Sequence, residues 1–174
     1  MFLLRQRKLN RLPRYNYSSS GWYFVTICTK YHEKIFGNII NGKMILNEWG
    51  KIVNDQWIWL GNNYRYIYLD YYVIMPNHFH GIIVISQNVG NGRDRSLRNK
   101  LKTKSLSELV GAFKTRSSKF IHRGGLNRFQ WQKSFYDHII RDEKSLNNIR
   151  SYIRFNFLNW ETDEENPSNT AINK

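Results

Sequence analysis

The chain has 174 residues, with 27 Lys and Arg against 13 Asp and Glu, a formal net charge of +14. So basic a chain is a poor match for a small neutral substrate and a good one for a polyanion, with nucleic acid ahead of an anionic membrane surface. Apolar residues at 41% and aromatics at 16% exclude a disordered chain, and the length suits one domain with its own core. The single cysteine, Cys28, rules out an internal disulfide and a cysteine-rich zinc site. No apolar run is long enough for a membrane helix. Phe2-Leu3-Leu4 is too short for the apolar core of a signal peptide. A cytoplasmic protein without a membrane partner is expected.

Residues 1–20 read as a basic arm, with Arg5, Arg7, Lys8, Arg11 and Arg14 around Tyr15 and Tyr17. Such an arm can lie on phosphates, with Tyr17 available to stack on a base; a frayed terminus is the plain alternative. Trp22 to Cys28 is aromatic and β-branched on both faces and predicts a central strand. The Asn41-Gly42 pair, flanked by Ile39, Ile40, Met44 and Ile45, predicts a small two-stranded ribbon. Asn47 is a good N-cap for a helix over 47–60, with Gly61 as its stop. Tyr66 to Met75 is a second core strand, turned by Pro76-Asn77 into a third over His78 to Ile85. Residues 87–104 are polar and rich in Gly and Arg, and read as a loop.

Ser105 and Glu108 form a capping-box pattern ahead of Leu106, Leu109, Val110, Phe113 and Phe120, which predicts a helix over 106–121. From Arg93 to Lys133 there are 12 basic residues and two acidic ones, Asp94 and Glu108. Lys114, Arg116, Lys119 and Arg123 fall in this run, which reads as a phosphate-binding surface more readily than as a merely solvated face. Residues 129–140 read as a fourth core strand. Residues 143–158 read as a third helix with a stripe of Leu146, Ile149, Ile153 and Phe157. After Trp160 the chain is acidic and polar. The domain plan is therefore a basic arm over 1–20, a folded domain over 21–160 and a disordered tail over 161–174. The order of elements gives an α+β, ferredoxin-like β-α-β-β-α-β arrangement, an antiparallel sheet with helices on one face plus a C-terminal helix.

The chemistry converges on three places. Side chains alternate along a strand, so His78 and His80 share a face while Phe79 points to a core. Two imidazoles roughly 7 Å apart at Cβ can hold one metal ion; for a His-x-His pair alone, two packed or surface histidines are the commoner outcome. On the last helix Tyr152 and Asn156 are i and i+4 and share one side. His78, His80 and an Asn156 carbonyl would supply three ligands, and a phenol beside a metal-bound phosphate can act as a nucleophile. Tyr136 is a rival phenol, on a strand among bulky groups where packing or stacking is commoner. Trp131 is a core residue or a stacking platform.

Met75-Pro76-Asn77-His78-Phe79-His80-Gly81-Ile82 resembles the His-hydrophobic-His (HUH) signature of single-tyrosine transposases of the insertion-sequence 200/605 kind. Trp131 to Arg141, followed by Ile149 to Asn156, resembles the REP-associated tyrosine transposases within that superfamily. So does Tyr15-Asn16-Tyr17-Ser18 with Tyr23 to Thr29. The likeness runs from about residue 12 to residue 160. It implies a single-stranded DNA endonuclease and strand transferase, dependent on Mg2+ or Mn2+, acting on an imperfect hairpin such as a repetitive extragenic palindrome, as monomer or homodimer. Matched by position, His78 and His80 are metal ligands, Tyr152 is the nucleophile forming a 5′-phosphotyrosine, and Asn156 falls where the third ligand stands. Phe157 departs from the Pro that usually follows that Asn. His138 matches a recurrent family position and reads as a hydrogen-bonded histidine near the site. A protein that only binds DNA or RNA hairpins on the same fold is the alternative.

Overall fold

A computed structural model describes residues 12, 14–86, 103–163 and 165–170. Most of the basic arm, nearly all of the 87–104 loop and the last four residues lie outside the described residues. Strand β1 (Gly21–Cys28) leads to β2 (Gly37–Ile40) and β3 (Lys43–Leu46), α1 (Glu48–Asn63), β4 (Ile67–Ile74) and β5 (His78–Ile85). Then come α2 (Leu106–Arg123), β6 (Tyr136–Ile140), α3 (Glu143–Phe155), a 3-10 stretch (Asn156–Thr162) and the short α4 (Pro167–Thr170). The main sheet is antiparallel in the order β4-β5-β1-β6, the ferredoxin-like order for β-α-β-β-α-β. The predicted ribbon is β2-β3, with Asn41 and Gly42 both at positive φ in its turn.

Strand β1 is central and covered on both sides, which explains its unbroken apolar run. Tyr23, Val25 and Ile27 face a large core with Phe79, Trp57 of α1 and Phe113 of α2. Phe24 faces a smaller core with Ile82, Ile140 and Ile153 of α3. Thus α1 and α2 lie on one face and α3 on the other. Gly81 of β5 has no Cβ to obstruct Trp57, whose ring a Cβ there would meet at 2.7 Å.

The N-caps stand where expected. Asn47 accepts from the Gly50 N–H, and Ser105 and Glu108 close a reciprocal capping box. Helix α1, however, passes through Gly61 to Asn63. Gly61 serves a close helix–strand approach instead of a stop, because Leu69 packs where its Cβ would be, at 2.9 Å. The fourth strand is also shorter than 129–140. Trp131 makes one isolated bridge to Thr29, and β6 starts only at Tyr136. Between them the Gln132 and Lys133 carbonyls accept from Lys114 Nζ at 2.5 and 3.1 Å, which draws that backbone away from the ladder.

Past Trp160 the expected disordered tail is packed among its described residues. Asp163 and Asn166 are buried, and Asn166 Nδ2 donates to the Trp160 carbonyl at 2.9 Å. Polar composition misled here because these side chains bond inward.

Helix α3 is clamped to β4 at a bulge between Leu69 and Tyr72. Arg150 donates twice to Asp70 Oδ2, at 2.9 and 2.7 Å, and Arg154 donates to the Tyr71 hydroxyl at 2.6 Å. The Asp70 side chain is only 5% exposed. Replacing it by alanine removes the acceptor of a charge-assisted pair and is expected to lower stability by about 1–3 kcal/mol, read by urea denaturation. A midpoint equal to that of the unchanged protein would show that the clamp contributes nothing.

Candidate active site

The site lies on the α3 face of the sheet. Cross-strand pairing sets Thr26 of β1 beside His80, and Cys28 beside His78. Both imidazoles are fully or almost fully buried, with ring centroids 4.5 Å apart. Each is oriented through Nδ1. His80 Nδ1 meets Thr26 Oγ1 at 2.8 Å, and His78 Nδ1 meets Asn77 Oδ1 at 2.8 Å. A carboxamide oxygen only accepts, so His78 carries its proton on Nδ1 and directs the Nε2 lone pair into the site. Asn77, read from sequence only as a turn former, thus also orients a histidine.

Helix α3 brings the other groups. Ile153 anchors it in the small core while Tyr152, one residue earlier, stays 43% exposed. The Tyr152 hydroxyl lies 3.2 Å from His80 Nε2. Asn156 is fully buried at the helix end, where Phe155 leaves helical geometry and the chain tightens into the 3-10 stretch. That stretch turns the chain back and delivers Asp163, which sequence reasoning missed altogether. Asp163 Oδ2 accepts from Asn156 Nδ2 at 3.3 Å and lies 4.0 Å from His78 Nε2.

Two buried atoms here, His78 Nε2 and Asn156 Oδ1, have no hydrogen-bond partner. Both are acceptors, and buried acceptors without a donor are costly unless something positive completes them. His78, His80 and Asp163 each offer one ligand atom, all within 4.8 Å of one another. Two imidazole nitrogens, a carboxylate and a carboxamide oxygen form a nitrogen–oxygen set suited to a divalent cation.

Burial pushes His80 down to about 3. Burial, with repulsion from His80 and His32, also lowers His78 well below the ordinary histidine value. Both rings are thus neutral near pH 7, as ligation requires. Between the folded and unfolded values the unfolded chain binds more protons, so folding stability is full above about pH 6.5 and falls as the pH drops toward 3. The expected slope is about 1.4 kcal/mol per pH unit for each such ring. Denaturation midpoints in EDTA from pH 7 to 4.5 should show it, and His80→Gln should flatten it; parallel slopes would contradict the assignment.

The remaining sequence candidates are scattered. Tyr136 pairs with Thr26, so it shares the site's face but stands two strands from His80, about 10 Å away. His138 pairs with Phe24 and is exposed; it lines a groove of about 470 Å³ with Phe24, Tyr136, Lys144, Ser145 and Asn148. Phe24, on the wall of this groove, also contacts the rings of His80 and Tyr152. Trp131 is a core residue whose Nε1 donates to Ser117 Oγ at 3.0 Å.

Helix α2, with Lys114, Arg116, Lys119 and Arg123, lies across the sheet from Tyr152. Lys114 is committed to backbone carbonyls, and Arg116 stacks on Trp59 while bonding Gln56. Lys119 and Arg123 are exposed. Arg14 is exposed at positive φ, and Tyr17 packs on Tyr15 and Tyr23. The alternation of side chains across a sheet separates these cations from the histidine face, which a linear charge run cannot reveal.

No protein-family model matches the chain. It is 38% identical over 168 residues to an uncharacterized protein of Haemophilus influenzae, covering 92% of this chain and 93% of that one. Among solved structures it is similar to a REP-associated tyrosine transposase bound to a REP hairpin, with TM-score 0.50 and 20% identity over 84% of this chain and 71% of that chain. A solved structure from Deinococcus radiodurans matches at TM-score 0.46 and 15% identity, over 83% and 95% of the two chains. The chain thus belongs to one family with the Haemophilus influenzae protein, and its fold is that of the REP-associated tyrosine transposase.

Proposed function

We propose that this chain is a metal-dependent, single-stranded DNA endonuclease and strand transferase that cuts and rejoins hairpin-bearing DNA through a covalent phosphotyrosine on Tyr152. The observation that carries this reading is the meeting of an exposed phenol with a buried, neutral imidazole pair, 3.2 Å from Tyr152 to His80 Nε2. The orphaned acceptors beside that pair support a metal there. His78, His80, Asn156 and Asp163 would hold a divalent ion, Mg2+ or Mn2+, whose charge would neutralise a phosphate in flight.

The chain's own groups do the rest. Thr26 and Asn77 fix the imidazoles, and Ile153 with the Arg150–Asp70 pair fixes the helix that presents the phenol. His80 Nε2 lies 3.2 Å from the Tyr152 hydroxyl, and a metal held by these residues would supply charge to the phosphate that the phenol attacks. Tyr152 Oη then forms a bond to phosphorus while the P–O3′ bond breaks. The phenol proton passes to water, and the departing oxygen takes one up as a free 3′-hydroxyl. One phosphodiester replaces another, so a later 3′-hydroxyl can reverse the step without ATP.

Tyr152 and His80 meet within one chain, so this pair assembles without a second copy. The groove of Phe24, Tyr136, His138 and Lys144, whose Phe24 contacts the Tyr152 ring, suits a single strand; exposed Lys119 and Arg123 across the sheet suit duplex phosphates of a hairpin. The test is incubation of hairpin-bearing single-stranded DNA with the protein and Mn2+, followed by denaturing electrophoresis. A protein–DNA adduct is expected. Tight binding without any adduct would favour a hairpin-binding protein that has no chemistry.

A further inference from the structure

We propose that Cys28, His32 and Glu165 form a second metal site, distinct from the histidine pair, which takes a thiophilic divalent cation of the Zn2+ type. Glu165 Oε2 lies 3.4 Å from Cys28 Sγ and 3.1 Å from His32 Nδ1. One ligand atom from each residue falls within 4.8 Å of the other two. Tetrahedral zinc with bonds of about 2.0–2.3 Å sets its ligands about 3.3–3.8 Å apart, so the three donors need little movement to enclose an ion. Thiolate, imidazole and carboxylate are all ordinary zinc ligands, and the thiolate discriminates against Mg2+ and Mn2+.

The surroundings hold these donors in place from three directions. Cys28 ends the central strand and is 7% exposed. His32 is lifted toward it by a turn in which Tyr31 and His32 both take left-handed backbone, φ 58° and 54°. That conformation costs energy in non-glycine residues. Glu165 is fixed by the Asn77 carboxamide, which is fully buried and donates from Nδ2 to the Glu165 carbonyl at 2.6 Å and to the His32 carbonyl at 3.2 Å. The far nitrogen of His32 lies 2.8 Å from the Gln132 carboxamide. There Gln132 Nε2 faces His32 Nε2; rotating that carboxamide to present its oxygen lets it accept the Nε2 proton and leaves the Nδ1 lone pair for the ion. His32 and Glu165 are only partly buried, so an ion has a way in. Binding releases the thiol proton of Cys28 to solvent, and water can complete the coordination.

The site also bears on the neighbouring one. Asn77 binds the backbones of two of its donors, and its Oδ1 holds His78 Nδ1. Glu165 and Asp163 lie on one short segment, joined by a bond from the Glu165 N–H to Asp163 Oδ1 at 2.7 Å. An ion on Glu165 therefore pins the segment that carries Asp163 to His78.

The test uses the full chain stripped of metal with EDTA and titrated with Co2+, a coloured stand-in for Zn2+. A thiolate-to-cobalt charge-transfer band should appear and be bleached by added Zn2+. It should persist in His80→Gln, which changes only the neighbouring site, and vanish in Cys28→Ser. Glu165→Gln keeps the shape of a partly exposed residue; with melting in EDTA unchanged, it should weaken Co2+ binding and remove the rise in Tm that Zn2+ gives the unaltered chain. No charge-transfer band in the unaltered chain, or one that survives Cys28→Ser, would overturn the proposal and leave the cluster as a hydrogen-bonded network only.

Discussion

Tyr152→Phe is expected to abolish the covalent protein–DNA adduct and to lower strand cleavage by about a thousandfold or more, since no other group takes over the nucleophile's place. Hairpin affinity should stay within a factor of about three, because a 43% exposed hydroxyl contributes little to packing. Denaturing electrophoresis with end-labelled DNA reads the first quantity and fluorescence anisotropy the second. Cutting that persists in the phenylalanine variant would mean that water is the nucleophile and that the chain is a hydrolase without a covalent step. The rival phenol makes a useful control. Tyr136 is separated from His80 by Thr26 in the sheet, so Tyr136→Phe should leave the adduct in place.

Asp163→Ala should have the next largest effect. The carboxylate stands within reach of His78 Nε2 and holds the Asn156 carboxamide. Losing it removes a negative ligand from the proposed ion and frees Asn156 to rotate. Adduct formation at limiting Mn2+ should fall by about 10–100-fold or more, with partial recovery at high Mn2+. That recovery separates weakened metal binding from a misfolded site, which excess metal cannot repair. A rate unchanged at every Mn2+ concentration would leave His78, His80 and Asn156 as a complete set and make the approach of Asp163 incidental.

The two results probe different kinds of information. Tyr152 was legible because it is local. It lies in a helix whose apolar stripe is explicit in Leu146, Ile149 and Ile153, and Asn156 follows one turn later on the same side. The His78-Phe79-His80 pattern was equally local, since strand alternation alone sends the two imidazoles one way and Phe79 the other. Asp163 had no such signature. It sits in a polar segment with no period, and only the 3-10 turn after Phe155 and the inward bonds of Asn166 bring it to the site. Glu165 and His32 were hidden in the same way; one follows that turn, and the other sits on a left-handed backbone that no local pattern announces.

The basic run shows what a local signal leaves open, namely which of its cations are available. Lys114, Arg116, Lys119 and Arg123 share a helix and a charge, but Lys114 is spent on the carbonyls of Gln132 and Lys133, and Arg116 on Gln56 and Trp59. The sheet stands between the whole helix and Tyr152.

What the sequence determined by itself, then, was the strands and helices of the β-α-β-β-α-β core, their order, the caps that start α1 and α2, and the faces of the strand and helix residues in that core. Those properties follow from backbone geometry and side-chain period within a few residues. Only the tertiary structure decided which face meets which helix, that Thr26 and Asn77 orient the imidazoles, and that a returning segment places a carboxylate against them. These depend on contacts between residues far apart in the chain, where packing and the satisfaction of buried polar groups govern the outcome and composition carries no record of it.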